Sequence, residues 1–257
     1  MKNIVGLFIL IFLFCLNLNA QKATFLTSGK INFERKDNVY YCLSMLLKDE
    51  QGNWVEDYLD RYKKPENHFA TTNWILYFDK NITNYMSDPD IINKDATPYF
   101  ISANVENTVY MDLQNKQQIR NAHLFENGYL LKDSIQNIKW KLTSETKEIA
   151  GIICKRANAL IMDSIYVVAF YTDQIPTQGG PEIFNGLPGM ILGVALPYDH
   201  ISWFATKITV LTPSKEDLKY PQKGKIFTTK EMVADLMDPL KNRGNTARNL
   251  ILKNLQL

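Results

Sequence analysis

Short apolar segments separated by polar turn residues run along most of the chain, and each has the length or the alternation of a β-strand. Four of them, within residues 108–142, follow one another so closely that they predict an antiparallel meander. The predicted strands cover residues 30–47, 74–79, 82–86, 108–113, 118–124, 128–132, 137–142, 151–162, 165–171, 190–196 and 201–211. The pattern predicts a β-rich fold built on a strongly curved antiparallel sheet.

Two segments have the period of an amphipathic helix instead. Residues 51–64 repeat aromatic side chains every four positions, opposite a face of charged residues. A second helix is predicted to begin at Thr228, because Thr228 and Glu231 stand in the positions of a capping box, and Pro239 is expected to kink or end it. The predicted fold class is therefore mainly β (β-rich α+β), with a few helices including a C-terminal one.

Residues 176–189, here called the Pro/Gly segment, concentrate the residue types that fix backbone geometry. The segment holds three of the chain's ten prolines and four of its twelve glycines. Within it, Leu187-Pro188-Gly189 followed by Met190 predicts a type II turn, with glycine supplying the positive φ of the third position. Residues 190–196 have no polar side chain on either face of the predicted strand, so we expect protein on both sides of it.

The first twenty residues have the organisation of a secretory signal peptide. Lys2 precedes an apolar run over residues 4–16, and Ala20 places a small residue at the expected cleavage position. The run is too short to cross a membrane, and no later stretch approaches the necessary apolar length. We expect a mature chain of residues 21–257 that forms a single domain, has no transmembrane segment and is exported to the periplasm or outer envelope of a Gram-negative bacterium.

The net charge argues against one class of partner. The whole chain carries a formal charge of +2, and removal of residues 1–20, which contain Lys2 and no acidic residue, lowers it to +1. A nearly neutral chain lacks the basic surface that binds nucleic acid or an anionic membrane. We therefore expect no nucleic-acid partner.

Cys42 and Cys154 are the cysteines that remain after the predicted cleavage. A disulfide between them would close a loop of over a hundred residues and would stabilise the fold by ~4–5 kcal/mol in the chain-entropy model. The alternative is two small buried thiols on separate strands. The sequence leaves both alternatives open.

A search for catalytic or metal-binding motifs finds none. The three histidines, His68, His123 and His200, are too far apart in sequence to form a local metal site. Asp173 and Glu182, near the Pro/Gly segment, would be a carboxylate pair for acid–base chemistry, but no histidine accompanies them. We predict no catalytic residue, no metal site and no cofactor.

One tripeptide occurs at two predicted turns, as Asp133-Ser134-Ile135 and Asp163-Ser164-Ile165. It resembles an O-glycosylation signal of some Gram-negative envelope proteins, and an exposed turn would accommodate a sugar. Asp-Ser is also favourable turn chemistry without any modification.

An ordered series of motifs in the second half of the chain resembles a known family. The series comprises Trp140, Gly151-Ile152-Ile153-Cys154-Lys155-Arg156-Ala157, Ala169-Phe170-Tyr171-Thr172-Asp173-Gln174-Ile175-Pro176, Gly180-Pro181 and Gly186-Leu187-Pro188-Gly189-Met190-Ile191-Leu192. It is similar to the GLPGLI family of exported bacterial proteins, over residues 137–210. Met190 replaces the leucine of the family motif with a side chain of similar volume, and Phe170 stands where tryptophan is common. The resemblance implies a Gram-negative envelope protein and no known activity.

The role predicted for the family motif itself is architectural. Pro181 and Pro188 remove backbone donors that a ligand-cradling loop would need, and no catalytic group is predicted nearby. The motif residues with this predicted role are Gly180, Pro181, Gly186, Leu187, Pro188, Gly189, Met190, Ile191 and Leu192.

The favoured functional hypothesis is a non-enzymatic binding or carrier module for an apolar ligand. The strands over residues 165–171 and 190–196 are apolar on both faces, and a half-barrel like that of periplasmic lipoprotein carriers would turn one of those faces toward a ligand. An ordinary closed core is the alternative for these residues. The candidate contacts are Trp140, Phe170, Tyr171, Phe184 and Trp203.

Two further hypotheses belong to other classes of protein. In the first, the Pro/Gly segment is an exposed rigid loop that docks an outer-membrane or surface protein, since a rigid loop loses little entropy on binding. This hypothesis predicts an exposed Phe184, whereas a buried Phe184 would indicate a purely architectural loop. The second is a hydrolase with a non-standard site, for which the sequence offers no assembled nucleophile and base.

Overall fold

The computed structural model describes residues 25–50, 52–64, 68–91, 107–124, 127–242 and 244–257. The predicted signal peptide lies outside this part of the chain. Within the described residues, no helix has both the length and the apolar character needed to cross a membrane.

Twelve strands and four helices make up the described fold. The strands are β1 (Ser28–Asn38), β2 (Phe69–Asp79), β3 (Ile82–Ser87), β4 (Val109–Asp112), β5 (Gln117–Leu124), β6 (Asn127–Ser134), β7 (Lys141–Ile149), β8 (Ile152–Ile161), β9 (Ile165–Thr172), β10 (Met190–Leu196), β11 (Ile201–Val210) and β12 (Lys225–Phe227). The helices are α1 (Val39–Leu46), α2 (Asn53–Asp60), α3 (Thr229–Leu236) and α4 (Asn245–Gln256).

All twelve strands belong to one curved sheet, in the order β12-β6-β5-β4-β3-β2-β1-β11-β10-β9-β8-β7. Every neighbouring pair is antiparallel except β12 and β6, which are parallel. The sheet does not close, because β12 and β7 each pair on one side only. The predicted fold class, a curved and mainly antiparallel sheet with a few helices, is confirmed.

The strand register defines which side chains share the inner face of the sheet. Arg35 on β1 lies directly opposite Trp203 on β11 and Thr72 on β2, and directly opposed residues of antiparallel strands project on the same side. Tyr85 of β3 and Arg120 of β5 project on that side as well. Tyr85 is paired with Val109 of β4, and Val109 is paired with Arg120. The inner face therefore mixes aromatic core residues with buried charges.

Two different elements cover the inner face. Over β1–β4 and β8–β11, the Pro/Gly segment inserts Phe184 and Leu187 into the main hydrophobic core. Over β5 and β6, α3 and α4 contribute Met232, Leu236 and Ile251 to a second core. The concave side of the sheet is thus filled by the chain itself.

Strand β10 is covered on both faces, as its composition predicted. Met190, Ile191, Leu192, Val194 and Leu196 are all fully buried. A Cβ placed at Gly193 would lie 2.7 Å from Phe204 of β11 and 2.9 Å from Ile149 of β7. The curled β7 end of the sheet therefore packs against β10, and this explains why both faces are apolar.

Several predicted elements differ from those in the structure. Residues 39–46 form α1 rather than continuing a strand, because the Asn38 side chain accepts a hydrogen bond from Tyr41 N at 2.8 Å and caps a helix. The strand predicted over 137–142 begins only at Lys141, and α4 was not predicted. The capping box at Thr228 and Glu231 is present as predicted.

Candidate functional site

The Pro/Gly segment lies against the inner face and is held there by hydrogen bonds to distant parts of the chain. Thr177 Oγ1 donates to the carbonyl of Lys80, after β2, at 2.6 Å. Trp140 Nε1, just before β7, donates to the carbonyl of Asn185 at 2.8 Å. Both anchors join the segment to elements far away in sequence, so its position is set by the tertiary fold.

The turn that ends the segment is not the predicted type II turn. Met190 N donates to the Ile175 carbonyl at 2.9 Å, whereas a type II turn would direct this donor to Leu187. Gly189 N instead donates to Leu187 O at 2.7 Å, and Gly189 has φ of 138°. A Cβ at Gly189 would lie 2.0 Å from Thr172 O. The glycine is therefore required by close backbone packing as well as by its positive φ.

The exposed docking loop predicted by the interaction hypothesis is wrong. Phe184 is 0% exposed and packs edge-to-face on Trp203, with ring centroids 5.8 Å apart. Within the segment, Pro176, Gln178, Gly186 and Pro188 are exposed, while Gly180, Pro181, Leu187 and Gly189 are buried.

The five aromatic residues proposed as ligand contacts do not come together in one site. Phe184, Trp203 and Tyr171 are buried in the main core. Phe170 contacts Phe204, with ring centroids 6.3 Å apart, and Lys147 lies over both rings. Trp140 is half-buried and bonded to the Pro/Gly segment. Trp140, Phe170, Tyr171 and Phe184 support the architecture of the fold, whereas the Trp203 ring also lies against the guanidinium of Arg35.

A group of buried charged and polar side chains lies on the inner face instead, and we call it the Glu182 cluster: Arg35, Asp37, Tyr85, Arg120, Glu182 and Trp203. Every member is at most 4% exposed. Arg35 makes two hydrogen bonds to Asp37, from Nε to Oδ2 and from Nη2 to Oδ1, each 2.9 Å long. Arg35 Nη1 also donates to Glu182 Oε1 at 3.4 Å.

Aromatic rings surround the charged groups of the cluster. The Arg35 guanidinium lies over the Trp203 ring, 5.0 Å from its centroid. Tyr85 stacks on Trp74 with centroids 5.1 Å apart and planes 7° from parallel. These rings exclude water and lower the local dielectric, which strengthens both charge pairing and the cost of leaving a charge unpaired.

Burial shifts the titration of this cluster. It raises the pKa of Glu182, although Arg35 and Arg120 oppose the shift. Burial lowers the pKa of Arg120, although attraction by Glu182 and Asp133 opposes this shift. Burial also raises the pKa of Tyr85 well above its usual value. For Arg35, burial alone would lower the pKa, but Asp37 and Glu182 together raise it.

Several buried polar atoms of the cluster have no hydrogen-bond partner among the described residues. They are Arg120 Nε and Nη1, Trp203 Nε1, Tyr85 Oη and Glu182 Oε2. The Trp203 indole lies close enough to Glu182 and Tyr85 to lower the pKa of each, but its N–H is not aligned with an acceptor. The cluster therefore has unused hydrogen-bonding capacity in a buried environment.

Two members of this cluster could be named from sequence: Trp203 as a candidate ligand contact, and Glu182 in a carboxylate pair that the structure does not contain. Asp173 is exposed and binds Lys155 at 2.6 Å, so it does not pair with Glu182. The alternation of buried and exposed positions along β1 would have indicated the cluster. Arg35 and Asp37 occupy the same alternate positions of β1 as the apolar Ile31 and Phe33.

The two cysteines are free and lie in different parts of the core. Cys42 belongs to the small cluster around α1, and Cys154 to the main core. Burial raises the pKa of the Cys42 thiol to about 12 and that of Cys154 to about 11. Because both cysteines are free and buried, the structure has the two thiols of the second alternative and no disulfide between them.

The described histidine rings pack on aromatic residues. His68 contacts the rings of Tyr40 and Phe69, and His200 contacts Tyr41; the side chain of His123 is outside the described part of the structure. Among the residues described, no group of three or more His, Cys, Asp or Glu side chains is arranged to hold a metal ion.

Comparison with solved structures shows similarity at the level of the fold. PNGF-II, crystallised in space group P21, superposes with a TM-score of 0.51 and 15% identity over 80% of this chain and 32% of that chain. PNGF-II in space group C2 gives a TM-score of 0.48 at 16% identity, over 88% and 33%. An uncharacterized conserved protein from Thermus thermophilus gives 0.39 at 6% identity, over 79% and 91%. The chain thus spans about a third of the PNGF-II chains that it matches.

Comparison of sequences places the recognisable family segment around the site. No curated protein matches the chain. Residues 160–193 match the family model described as a protein of unknown function, Porph_ging. The matched residues include β9, the whole Pro/Gly segment with Glu182, and the first part of β10.

Proposed function

We propose that the protein is an exported, non-enzymatic binding protein of the Gram-negative cell envelope, and that it binds a small polar ligand at the Glu182 cluster. Export is supported by the signal-peptide pattern of residues 1–20. Relationship to the GLPGLI proteins is supported by the ordered motif series. The family match of residues 160–193 to proteins of unknown function is compatible with both.

A polar ligand fits this fold better than the apolar ligand that the sequence favoured. In a half-barrel carrier, the concave face of the sheet would be open to bind an apolar ligand. Here Phe184, Leu187 and the α3–α4 pair already cover that face. The apolar surface of the concave face is covered by the chain itself, whereas five polar atoms of the Glu182 cluster have no hydrogen-bond partner among the described residues.

The observation that carries the proposal is the set of unpaired buried donors around Glu182. An unsatisfied buried polar group costs ~1–3 kcal/mol, and native proteins retain few of them. Arg120 has two such nitrogens and is 1% exposed. A ligand that accepts these hydrogen bonds would recover much of that free energy on binding.

The same geometry favours binding over catalysis. Both described thiols are buried with raised pKa values, so neither is an activated nucleophile. Asp37 makes two hydrogen bonds to Arg35, and the histidine rings that the structure describes pack on tyrosine rings. A hydrolase would need a nucleophile and a base within hydrogen-bonding reach.

Native mass spectrometry of the protein purified from a periplasmic extract tests this proposal. We expect a small adduct that disappears on denaturation and is lost in Arg120→Met. The lipid fraction of the same sample should contain no stoichiometric component. An apo mass alone, together with a high-resolution crystal structure in which water satisfies the cluster, would overturn the proposal. A bound lipid would restore the apolar-carrier hypothesis.

A further inference from the structure

Arg120 differs from Arg35 because two of its guanidinium nitrogens have no hydrogen-bond partner among the described residues. Arg35 is bound by Asp37 through two hydrogen bonds and by Glu182 through a third. Arg120 is equally buried, but its Nε and Nη1 make no hydrogen bond within the described part of the chain. A buried guanidinium without a partner is strongly unfavourable unless an anion compensates it.

The two nearby carboxylates make their hydrogen bonds to groups other than Arg120. Asp133 accepts hydrogen bonds from Thr229 N and Thr229 Oγ1, at the N-terminus of α3. Glu182 directs Oε1 toward Arg35. Both acids attract Arg120 electrostatically, yet neither is hydrogen-bonded to its unpaired nitrogens. The guanidinium therefore lies near two acids whose hydrogen bonds go to other groups, and Glu182 Oε2 is the carboxylate oxygen left without one.

The unused hydrogen-bonding groups are mostly donors. Three N–H-bearing atoms, Nε and Nη1 of Arg120 and Nε1 of Trp203, stand against one unpaired carboxylate oxygen, Glu182 Oε2. The Tyr85 hydroxyl can donate or accept. Even when one donor turns to Glu182, the remaining donors need an external acceptor. The complementary ligand is therefore rich in acceptor oxygens.

Building on the proposed function, we infer that the ligand is a small monoanion of the carboxylate class and that Arg120 is its counter-ion. A carboxylate offers two acceptor oxygens, and an arginine binds them with charge-assisted hydrogen bonds. Asp37 is paired with Arg35, so Arg120 can balance at most one added negative charge. A dianion such as phosphate would add an excess negative charge close to Asp37, Asp133 and Glu182, at high electrostatic cost in a buried site.

Binding is also expected to be slow. Because every member of the cluster is buried, a ligand reaches it only when the covering elements separate. Association that requires such a conformational change proceeds below the usual rates for protein binding.

Thermal unfolding and calorimetric titration with acetate, phosphate and chloride, each at constant ionic strength, test the inference. We expect acetate to raise the Tm in a saturable manner and phosphate and chloride to have no comparable effect. Arg120→Met should fold, because it removes an unpaired buried charge, and should weaken acetate binding by ~30-fold or more. Arg248→Met is the matched control, since Arg248 donates to Asn245 at the surface, and it should bind acetate normally.

The outcomes separate this inference from the proposed function. Arg120→Lys keeps the charge but not the guanidinium, so it should retain part of the acetate response, and this variant decides the matter if Arg120→Met does not fold. Stabilisation by phosphate alone, or an acetate response that survives in Arg120→Met, would contradict the carboxylate assignment. A neutral polar ligand that co-purifies with wild type and is lost in Arg120→Met would refute this inference and leave the proposed function intact. No response to any anion, with ordered water on Arg120, would refute both.

Discussion

Glu182 Oε1 accepts a hydrogen bond from Arg35 Nη1 at 3.4 Å, across 147 positions of sequence. This contact joins the Pro/Gly segment to the first strand of the sheet. Glu182 makes it from a left-handed backbone conformation, with φ of 50°, which is unfavourable for a residue other than glycine. The segment is thus positioned by a buried charge pair as well as by the packing of Phe184 and Leu187.

Replacement of Glu182 by glutamine should change how stability depends on pH. Burial raises the pKa of Glu182, so the folded protein retains this proton at pH values where the unfolded chain has lost it. The resulting contribution to the free energy of unfolding falls as pH rises from the ordinary glutamate pKa through the raised one. Denaturant unfolding between pH 4 and pH 8 should therefore show a flatter profile for Glu182→Gln and a higher stability than wild type at neutral pH.

The groups that face Glu182 must be included when this profile is interpreted. They are Arg35, Asp37, Tyr85 and Arg120, and the direction of the pKa shift already includes the attraction of both arginines. Asp173→Asn is the control, because Lys155 lowers the pKa of this exposed carboxyl and its small contribution has the opposite sign. A Glu182→Gln variant that is less stable than wild type at neutral pH would show that the Arg35 pair outweighs the cost of burial.

Gly189→Ala should destabilise the fold much more than Gly151→Ala does. A Cβ at Gly189 would meet the Thr172 carbonyl oxygen at 2.0 Å, whereas a Cβ at Gly151 would have nothing within 4 Å. Both glycines have positive φ, so both variants include backbone strain. We expect a loss of ~1 kcal/mol for Gly151→Ala from strain alone, and more than ~2 kcal/mol for Gly189→Ala. Equal losses by chemical denaturation would mean that the turn relaxes around the new methyl group.

Truncation of Phe184 tests whether the Pro/Gly segment is part of the core. The side chain is 0% exposed and packs on Trp203. Phe184→Ala should lower the free energy of unfolding by ~3–5 kcal/mol, through lost burial and the cavity left behind. Phe25→Ala is the matched control, since Phe25 is 56% exposed, and its effect should lie within ~0.5 kcal/mol. A small effect for Phe184→Ala would revive the docking-loop hypothesis.

Most strands could be predicted from sequence because their alternation records which face is buried. The exceptions have local causes. Residues 39–46 are apolar enough for a strand, but capping by Asn38 redirects them into α1. The hydrogen bond from Met190 N to the Ile175 carbonyl could not be predicted from sequence either, because it joins two segments that meet only in the folded protein.

The candidate site could not be predicted by searching for motifs, because its members come from four separate strands and a loop. Arg35, Arg120 and Glu182 are ordinary charged residues in the sequence, and only the fold brings them to one face. The alternation along β1 identifies Arg35 and Asp37 as buried, since they follow Ile31 and Phe33 at every second position. No comparable local signal marks Glu182, whose burial depends on the path of the Pro/Gly segment.

Cys42 and Cys154 should be unreactive and unbridged in the folded, exported protein. Burial raises their pKa values to about 12 and about 11, so at pH 8 almost no thiolate is present in either. Alkylation by iodoacetamide should be at least ~100-fold slower than for a free thiol, and unfolding in denaturant should make both cysteines react. Ser164→Cys, which introduces a thiol at the exposed turn between β8 and β9, should react at an ordinary rate in the folded state and serves as the control. A mass two daltons below that of the reduced chain, restored on reduction, would indicate a disulfide and contradict this prediction. Such a bond would require the hydrophobic cluster around α1, which contains Cys42, to contact the main core at Cys154.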